Sequence, residues 1–341
     1  MNEPIKISDV AKRAGVSASS VSRALNPERY ASDELRARVA KAVAELGYEP
    51  NAMAQSLRNQ SSNTVGCMVS DSANPMYAEI IGAAEARLQE AGYLMVVANS
   101  RLGSHELELL NMFRRRRMDG LLVTLDDDTR KDVLTLLRES GTPLVLLDRD
   151  IDLDCDRVNV DHHRGAYVVL SHLIKLGHRN ILLETPSNRV RPGRERIAGA
   201  EAAVRDAGLP PSALKISQHM DPSQIQVFSS VLQELAKPVR PTAIVTLGTE
   251  MLAGALSAIE ASHLRIPEDI SIVSVGDTML AQFASPGITS LRWDLKQYGR
   301  LAAEMLLNRM EGRATDYRTI TLPTELVQRR SCMPPAAPAH G

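Results

Sequence analysis

Between residues 64 and 275 the chain alternates short apolar runs with longer amphipathic ones, and this alternation limits the possible folds more than any other feature. Each apolar run has the length of a buried strand; the runs cover 65–69, 93–98, 120–125, 144–148, 180–183, 243–246 and 270–275. Strands separated by helices predict parallel sheets that are covered by helices on both faces. Because 341 residues exceed one ordinary domain core, we expect two or three domains, one or more of them of the α/β class.

The first sixty residues follow a different pattern, that of three short helices. A first helix stops at Gly15, whose missing Cβ suits a left-handed turn. Ser17 is a favourable N-cap for a second helix over 18–25, and Ser32 caps a third that ends before Gly47. Two short helices joined by a glycine turn and closed by a third predict an all-α helix-turn-helix headpiece. A small three-helix bundle that binds no nucleic acid has the same periodicity.

The predicted second helix carries small polar groups and one arginine on its outward face. In a DNA major groove, Arg23 can bond bidentately to O6 and N7 of guanine, and Ala18 suits a thymine methyl group. Ser19 and Ser20 can donate or accept. Net charge gives little further support for nucleic-acid binding, because residues 1–60 carry a charge of only +2 and the remainder −3.

Two runs carry a resemblance that decides between these alternatives. Residues 9–26, DVAKRAGVSASSVSRALN, and residues 45–58, ELGYEPNAMAQSLR, resemble the DNA-binding headpiece of the LacI family of bacterial transcription regulators. The resemblance implies that Ala18, Ser19 and Arg23 read bases. It also implies a group that contacts phosphate or supports the helix, namely Ser17, Ser20, Ser22, Asn26 and Tyr30.

Residues 51–58 form a segment too short to remain helical alone in water. In the family that this chain resembles, such a hinge helix orders on the operator and pairs with its dimer mate in the minor groove. Leu57 matches the family's leucine that wedges between base steps and bends the duplex. Arg58 beside it can reach a phosphate. The alternative is a linker in which Leu57 packs on the headpiece.

The rest of the chain is similar to the core of the same family, which resembles periplasmic sugar-binding proteins. The matching motifs are NPMYAE at 74–79, MDGLL at 118–122, GHRNI at 177–181, RIAG at 196–199 and IPEDIS at 266–271. The resemblance implies two doubly wound parallel-sheet subdomains of the periplasmic-binding-protein type, with a small ligand between them at the carboxyl ends of the strands. The predicted divisions are a headpiece (1–50), a hinge (51–60), an effector-binding and dimerisation domain (61–331) and a disordered tail (332–341). Within the large domain, the N-subdomain takes 61–162 and 293–321, and the C-subdomain takes 163–292 and 322–331.

The effector residues that the resemblance implies are Asn74, Met76, Tyr77, Asp148, Arg149, Arg191, Arg196 and Asp277. Arg196 and Asp277 would hold polar ligand atoms, and Tyr77 would form a wall. Met76 has core packing as its alternative, and Asp148 has the capping of a turn. The sequence also departs from the family: Gly248-Thr249-Glu250 follows the strand 243–246 where an Asn-Asp or Asp-Asp pair is frequent, which weakens the expectation of a sugar contact there.

Four arginines lie close together at 189, 191, 194 and 196. Because guanidinium groups capture carboxylates and phosphates bidentately, an anionic effector such as a sugar acid or sugar phosphate is one hypothesis. The other is a solvated basic loop from which only Arg196 points inward.

Other classes of function receive little support from the sequence. No glycine-rich dinucleotide fingerprint or Walker loop follows a predicted strand, so we expect no nucleotide cofactor and no enzyme. His162-His163 lacks a third ligand at metal spacing, which favours a surface turn over a metal site, and Trp293 is expected at the subdomain crossover or in the cleft. A sugar-handling enzyme fused to a headpiece and a solute receptor are the alternatives.

The sequence therefore predicts a repressor that binds a pseudo-palindromic operator as a homodimer and responds to a sugar, sugar acid or sugar phosphate. Whether the effector releases or strengthens DNA binding stays open. Three widely spaced cysteines, the lack of a secretory signal and the lack of a long apolar run predict a location in the bacterial cytoplasm, on the nucleoid when DNA is bound.

Overall fold

The computed structural model describes residues 5–26, 29–48, 61–100, 105–220 and 223–336. The chain divides into two compact units, one that ends at Ser62 and one that begins at Asn63. The predicted hinge, with Leu57 and Arg58, lies outside the described residues.

The described residues of the first unit form a headpiece of three helices, as the sequence predicts. Its helices are α1 (Ile7–Ala14), α2 (Ala18–Ala24) and α3 (Asp33–Leu46). They enclose a small core that includes Val10, Val21, Val39 and Tyr48. The local chemistry agrees with the expectation, because the hydroxyl of Ser17 accepts a hydrogen bond from the Ser20 N–H at 3.2 Å and Gly15 has a φ of +64°.

The second unit alternates strands and helices along its length. Its helices are α4 (Pro75–Glu90), α5 (Glu106–Arg115), α6 (Lys131–Ser140), α7 (His162–Lys175), α8 (Arg191–Asp206), α9 (Gln224–Leu235), α10 (Gly248–Ala261), α11 (Met279–Phe283) and α12 (Leu295–Met310). Its strands are β1 (Thr64–Val69), β2 (Leu94–Asn99), β3 (Gly120–Val123), β4 (Leu144–Leu147), β5 (Asp156–Val160), β6 (Ile181–Pro186), β7 (Leu214–His219), β8 (Ala243–Leu247), β9 (Ser271–Val275), β10 (Thr289–Arg292), β11 (Thr319–Leu322) and β12 (Glu325–Val327).

These strands form two sheets of six strands each. One sheet has the order β11-β5-β4-β3-β1-β2 and is parallel throughout. The other has the order β12-β10-β9-β8-β6-β7, and only β12 runs antiparallel to its neighbour. The predicted pair of doubly wound subdomains is confirmed; we call them the N-lobe (the sheet with β1) and the C-lobe (the sheet with β6).

The inner strands β1, β3, β4, β8 and β9 are almost fully buried, which is why they are predominantly apolar, while the edge strands are partly exposed. In β1, Val65, Cys67 and Val69 face one core cluster and Met68 faces another. The chain passes between the lobes three times, after β5, after β10 and after β11. Parallel strands that end at the same edge of each sheet place the loops after β1, β3, β4 and β5 opposite those after β6 and β7.

The start of the tail is ordered, so the expectation of disorder from Cys332 onward is wrong for its first residues. The Met333 N–H donates to the Ser271 hydroxyl at 3.1 Å, and the Cys332 thiol packs against Ile272. Residues 337–341 lie outside the described part of the chain. In the ranges that the structure covers, no helix is both long and apolar enough to cross a membrane.

Candidate functional site

Helix α2 presents the outward face that its sequence pattern predicts. Val21 and Ala24 are buried in the headpiece core, whereas Ala18, Ser19 and Arg23 are exposed. The Ser17 hydroxyl also contacts the hydroxyl groups of Ser19 and Ser20, at 2.8 and 2.9 Å. Ser22 and Asn26 are half-buried, and Tyr30, after the helix, is 90% exposed.

Two arginines of α3 brace the turn in front of this face. Arg38 donates to the carbonyl groups of Ala14 and Gly15, at 2.7 and 3.3 Å. Arg36 donates to the Ala24 carbonyl at 3.4 Å, where α2 ends. Both satisfy carbonyl groups that a helix C-terminus leaves without an internal partner. The orientation of α2 is therefore fixed by side chains of α3 as well as by apolar packing.

The second unit contains a cavity of about 500 Å³ between the loops at the carboxyl ends of the two sheets. This volume falls in the range of small-molecule sites. Six of the eight predicted effector residues line it, namely Asn74, Met76, Tyr77, Asp148, Arg149 and Arg196. Residues that the sequence reasoning did not assign also line it, among them Glu106, Asp126, Arg130, His162, His219 and Met220.

A buried chain of three side chains runs along one wall of the cavity. His162 contacts the Asp148 carboxylate through Nε2, and Arg196 donates to His162 Nδ1 at 3.1 Å. Burial, and after it the nearby Arg196 guanidinium, lowers the pKa of His162 to about 4, so the imidazole is neutral at pH 7. Neutral His162 therefore donates to Asp148 and accepts from Arg196.

Arg196 is the cation of this wall that lacks a direct carboxylate partner among the described contacts. Its Nε atom is buried and makes no hydrogen bond in the part of the chain that the structure covers. Burial lowers its pKa to about 10, which still leaves it charged at pH 7. A buried guanidinium with an unused donor is costly unless a ligand atom accepts from it.

Trp293 lies in the cleft, which is one of its two expected positions. Its side chain packs against the cores of both lobes, and its ring meets the His162 ring edge to face with centroids 5.7 Å apart. The indole Nε1 is buried and, like Arg196 Nε, has no hydrogen-bond partner among the described residues. Two unused N–H donors thus flank the same imidazole.

The prediction that His162-His163 forms a surface turn is wrong for the first histidine. His162 begins helix α7 and is 1% exposed, while His163 is exposed. The signal that could have identified His162 is its place directly after a parallel strand, where cleft residues concentrate. In the described ranges, no three His, Cys, Asp or Glu side chains are grouped as metal ligands.

Glu106 is a buried carboxyl group on the N-lobe side of the cavity. The Asp126 N–H donates to its Oε1 at 2.8 Å, and Arg130 Nη1 lies 3.6 Å from its Oε2. Burial raises the pKa of Glu106 to about 7, and the backbone bond and the arginines Arg130 and Arg149 offset only part of that increase. This group is therefore divided between its acid and carboxylate forms near neutral pH.

Most of the clustered arginines are neutralised by aspartates across the cleft. The ion pairs are Arg189–Asp127 at 3.3 Å, Arg191–Asp148 at 2.8 Å, Arg194–Asp128 at 3.0 Å and Arg194–Asp150. We call this set the clasp. The Arg191 N–H also donates to Asp128 at 2.7 Å, and the Asp128 N–H donates to the Arg189 carbonyl at 3.0 Å. The clasp joins loops of the N-lobe to the start of α8 in the C-lobe.

Three predicted effector residues are engaged within the protein. Arg149 lines the cavity, but its guanidinium bonds to the Leu125 and Asp148 carbonyl groups. Arg191 belongs to the clasp and is not among the described residues of the cavity wall.

Asp277 is likewise outside the described cavity wall. Its carboxylate accepts from the two terminal nitrogens of Arg329, at 2.7 and 3.0 Å, and from the Ser290 hydroxyl at 2.6 Å. These partners lower its pKa although burial alone would raise it. Asp277 thus holds two C-lobe segments together in this structure.

An exposed helix-turn-helix and a two-lobed α/β unit with a polar cleft define a DNA-binding regulator of the ligand-responsive kind. Residues 6–51 match the family model of bacterial regulatory proteins of the lacI family, and residues 170–332 match a periplasmic binding protein-like domain. The chain belongs to the LacI family of transcriptional repressors.

The relatives match over almost their whole length. The HTH-type transcriptional repressor PurR of Photobacterium profundum is 31% identical over 95% of this chain and 98% of its own. The ribose operon repressor of Escherichia coli is 30% identical, with the same coverage. Among solved structures, the Lac repressor dimer bound to operator and the anti-inducer ONPF superposes with a TM-score of 0.84 at 28% identity, covering 97% of this chain and all of that one. The CelR–cellobiose complex gives 0.72 at 27% identity, covering 96% and 99%.

Proposed function

We propose that this repressor binds a pseudo-palindromic operator with α2 in the major groove of each half-site. The observation that carries the proposal is the face of α2, where small side chains and Arg23 are exposed and α3 holds the turn in front of them. Arg23 reads a guanine, Ala18 and Ser19 contact neighbouring bases, and Ser17, Ser20, Ser22, Asn26 and Tyr30 contact phosphate or support the helix. Leu57 and Arg58 keep their predicted minor-groove roles as part of this proposal.

The test is selection of bound genomic fragments by the full chain at moderate salt. Enrichment of one inverted-repeat sequence is the expected result, and its affinity should exceed that for random DNA by roughly 10³ or more. Equal binding of every fragment would mean that the protein is attracted only to the DNA phosphates, and this result would refute sequence-specific regulation.

A homodimer is part of the same proposal, because two copies are needed to read two half-sites. Apolar side chains are exposed in both lobes: Leu94, 63% exposed, on the edge strand β2, and Phe283, 76% exposed, on α11. Exposed apolar groups on an edge strand and on a surface helix mark association surfaces. The Lac repressor structure that this chain resembles is a dimer. Sedimentation of Leu94→Lys/Phe283→Asp should show monomers where the parent shows dimers, and a dimeric variant would place the interface elsewhere.

The effector that fits the cleft best is a small polyhydroxylated molecule with one carboxylate, a sugar acid. Arg196 offers an unused Nε–H beside the unused Nε1–H of Trp293. A carboxylate and a phosphate can both bind a guanidinium bidentately, and the carboxylate does so with a single negative charge. A phosphate ester carries more charge than Arg196 alone can balance, and among the described residues the clasp neutralises Arg189, Arg191 and Arg194. The repressor works, in this proposal, on nucleoid DNA in the cytoplasm.

Calorimetric titration with neutral sugars, the matching sugar acids and sugar phosphates tests the effector class. The acids are expected to bind to the parent and to lose most of their affinity for Arg196→Met. Binding of a neutral sugar without its acid would overturn the proposal. Arg205→Met, at an exposed arginine of the same helix, is the matched control.

A further inference from the structure

Met76 of the N-lobe rests on two glycines of the C-lobe at one corner of the cleft. A Cβ atom placed on Gly276 would lie 2.9 Å from the Met76 sulfur and 3.6 Å from its methyl group. A Cβ atom on Gly248 would lie 4.0 Å from the same sulfur. The two glycines are neighbours, because the Cβ position of Gly276 would come within 3.7 Å of the Gly248 Cα. We call this pair the glycine notch.

The backbone of the glycine notch is fixed by its conformation and by hydrogen bonds. Gly276 has a φ of +109° and Gly248 a φ of +61°, which are conformations that other residues adopt only with strain. The Gly276 N–H donates to the Leu291 carbonyl at 2.8 Å, and its carbonyl accepts from the Ser274 hydroxyl at 3.1 Å. A Cβ atom on Gly276 would overlap the thioether, whereas one on Gly248 would be in ordinary van der Waals contact with it.

The backbone of Met76 is also fixed, by the N-terminal capping of helix α4 in the N-lobe. Asn74 caps helix α4, with its side-chain oxygen accepting from the Met76 N–H at 3.0 Å, and Pro75 occupies the first helical position. This fixes where the Met76 side chain leaves the helix. An unbranched thioether fits such an irregular gap well.

We propose that Met76 seats in the glycine notch and thereby sets the length of effector that the cleft accepts. Gly248 and Gly276, which follow β8 and β9, have no side chains that could contact a ligand. The Met76 thioether fills the space next to them. The unused donors of Arg196 and Trp293 remain for the ligand. The accepted effector is therefore a monosaccharide acid, cyclic or open-chain, and not a disaccharide acid. The identity of the ligand rests on the function proposed above, whereas the Met76–glycine contact stands without it.

A double-mutant cycle tests the contact without any ligand. Thermal unfolding of the parent, Met76→Ala, Gly276→Ala and the double variant is followed through the fluorescence of Trp293, the only tryptophan. Gly276→Ala should lower the midpoint by about 3 °C more in the presence of Met76 than in its absence, since overpacking adds to backbone strain only in the first case.

Gly177→Ala is the matched control for backbone strain. Its φ is +102°, close to that of Gly276, and its nearest side-chain contact would be an ordinary 3.6 Å to Pro335. Gly177→Ala should lower the midpoint by the same amount in the parent and in the Met76→Ala background. An equal effect of Gly276→Ala in both backgrounds overturns the proposed contact.

Calorimetry with the monosaccharide acids D-gluconate and D-galacturonate and with the disaccharide acid lactobionate tests the effect on ligand length. The parent should bind a monosaccharide acid and reject lactobionate, and Met76→Ala should bind lactobionate at least about tenfold more tightly than the parent does. Unchanged lactobionate affinity in Met76→Ala, with binding of a shorter acid intact, overturns the role in specificity. If no acid binds to any variant, the proposed effector class fails, and the unfolding cycle still decides the contact.

Discussion

Replacing Glu106 with glutamine should make the folded protein more stable at pH 8 and change little at pH 5. Glu106 is fully buried, and its Oε2 makes no hydrogen bond within the described structure. Glutamine keeps the shape of the side chain and the acceptor for the Asp126 N–H, but it cannot ionise. The substitution therefore removes only the charge that forms when Glu106 loses its proton.

The magnitude follows from the pKa difference between the two states. Burial raises the pKa of Glu106 from its ordinary value of 4.5 to about 7 in the folded protein. The folded state holds this proton more tightly, so the contribution to stability is full below pH 4.5 and is lost as the pH rises to about 7. A pKa difference of this size corresponds to about 3 kcal/mol in the free energy of unfolding. The advantage of Glu106→Gln should grow from less than about 1 kcal/mol at pH 5 to about 3 kcal/mol at pH 8.

Urea unfolding at pH 5, 6, 7 and 8, followed by Trp293 fluorescence, measures this difference. Glu108→Gln is the matched control, because Glu108 lies on the same helix and is 81% exposed. Its effect should stay within about 0.5 kcal/mol at every pH, because its ion pair with His105 is exposed to solvent. A Glu106→Gln effect that is constant from pH 5 to pH 8 would show that the native carboxyl group is ionised throughout and that the reasoning from burial is wrong.

Three further changes address the DNA-binding face, the hinge and the clasp. Arg23→Ala should cost about 1–3 kcal/mol at one guanine per half-site and relax the choice of base there; an equal loss on every sequence, measured by competition binding, would mean that Arg23 contacts only phosphate. Leu57→Ala should retain salt-sensitive nonspecific binding but lose operator bending in a gel-mobility assay; unchanged bending would exclude the wedge. Asp128→Asn should weaken the clasp and raise the radius of gyration in small-angle scattering, with Asp152→Asn, at an exposed residue, as control; identical scattering would mean that other contacts hold the lobes together.

The headpiece was predictable because local chemistry decides it. Ser17 caps α2, Ser32 caps α3, and Gly15 makes the turn, and each of these choices depends on residues within a few positions along the chain. Seven strands of the second unit were predicted, because each forms an apolar run in the sequence; they are β1, β2, β3, β4, β6, β8 and β9. The strands β5, β7, β10, β11 and β12 were missed, because polar residues interrupt them or, in β12, because the strand is only three residues long.

The cleft could be predicted only in part, because its polar groups are paired over long distances. Asp277 was expected to hold a ligand, yet its carboxylate is paired with the guanidinium of Arg329, which is 52 residues away in the sequence. The aspartate partners of Arg191 are 43 and 63 residues away. No spacing rule links such positions. For His162 the error was the opposite: the sequence predicted a surface turn, but the tertiary structure buries this histidine in the cleft. Two adjacent polar residues do not reveal by themselves which of them is buried.

The threefold passage of the chain between the lobes has a consequence during protein synthesis. The edge strand β11 and helix α12 belong to the N-lobe but come after the whole of the C-lobe up to β10. A ribosome must therefore translate the chain through Leu322, beyond most of the C-lobe, before the core of the N-lobe can be completed. The headpiece, by contrast, is contiguous in sequence and can fold as soon as it emerges from the ribosome. During synthesis, a folded headpiece therefore precedes a second unit that is still incompletely folded.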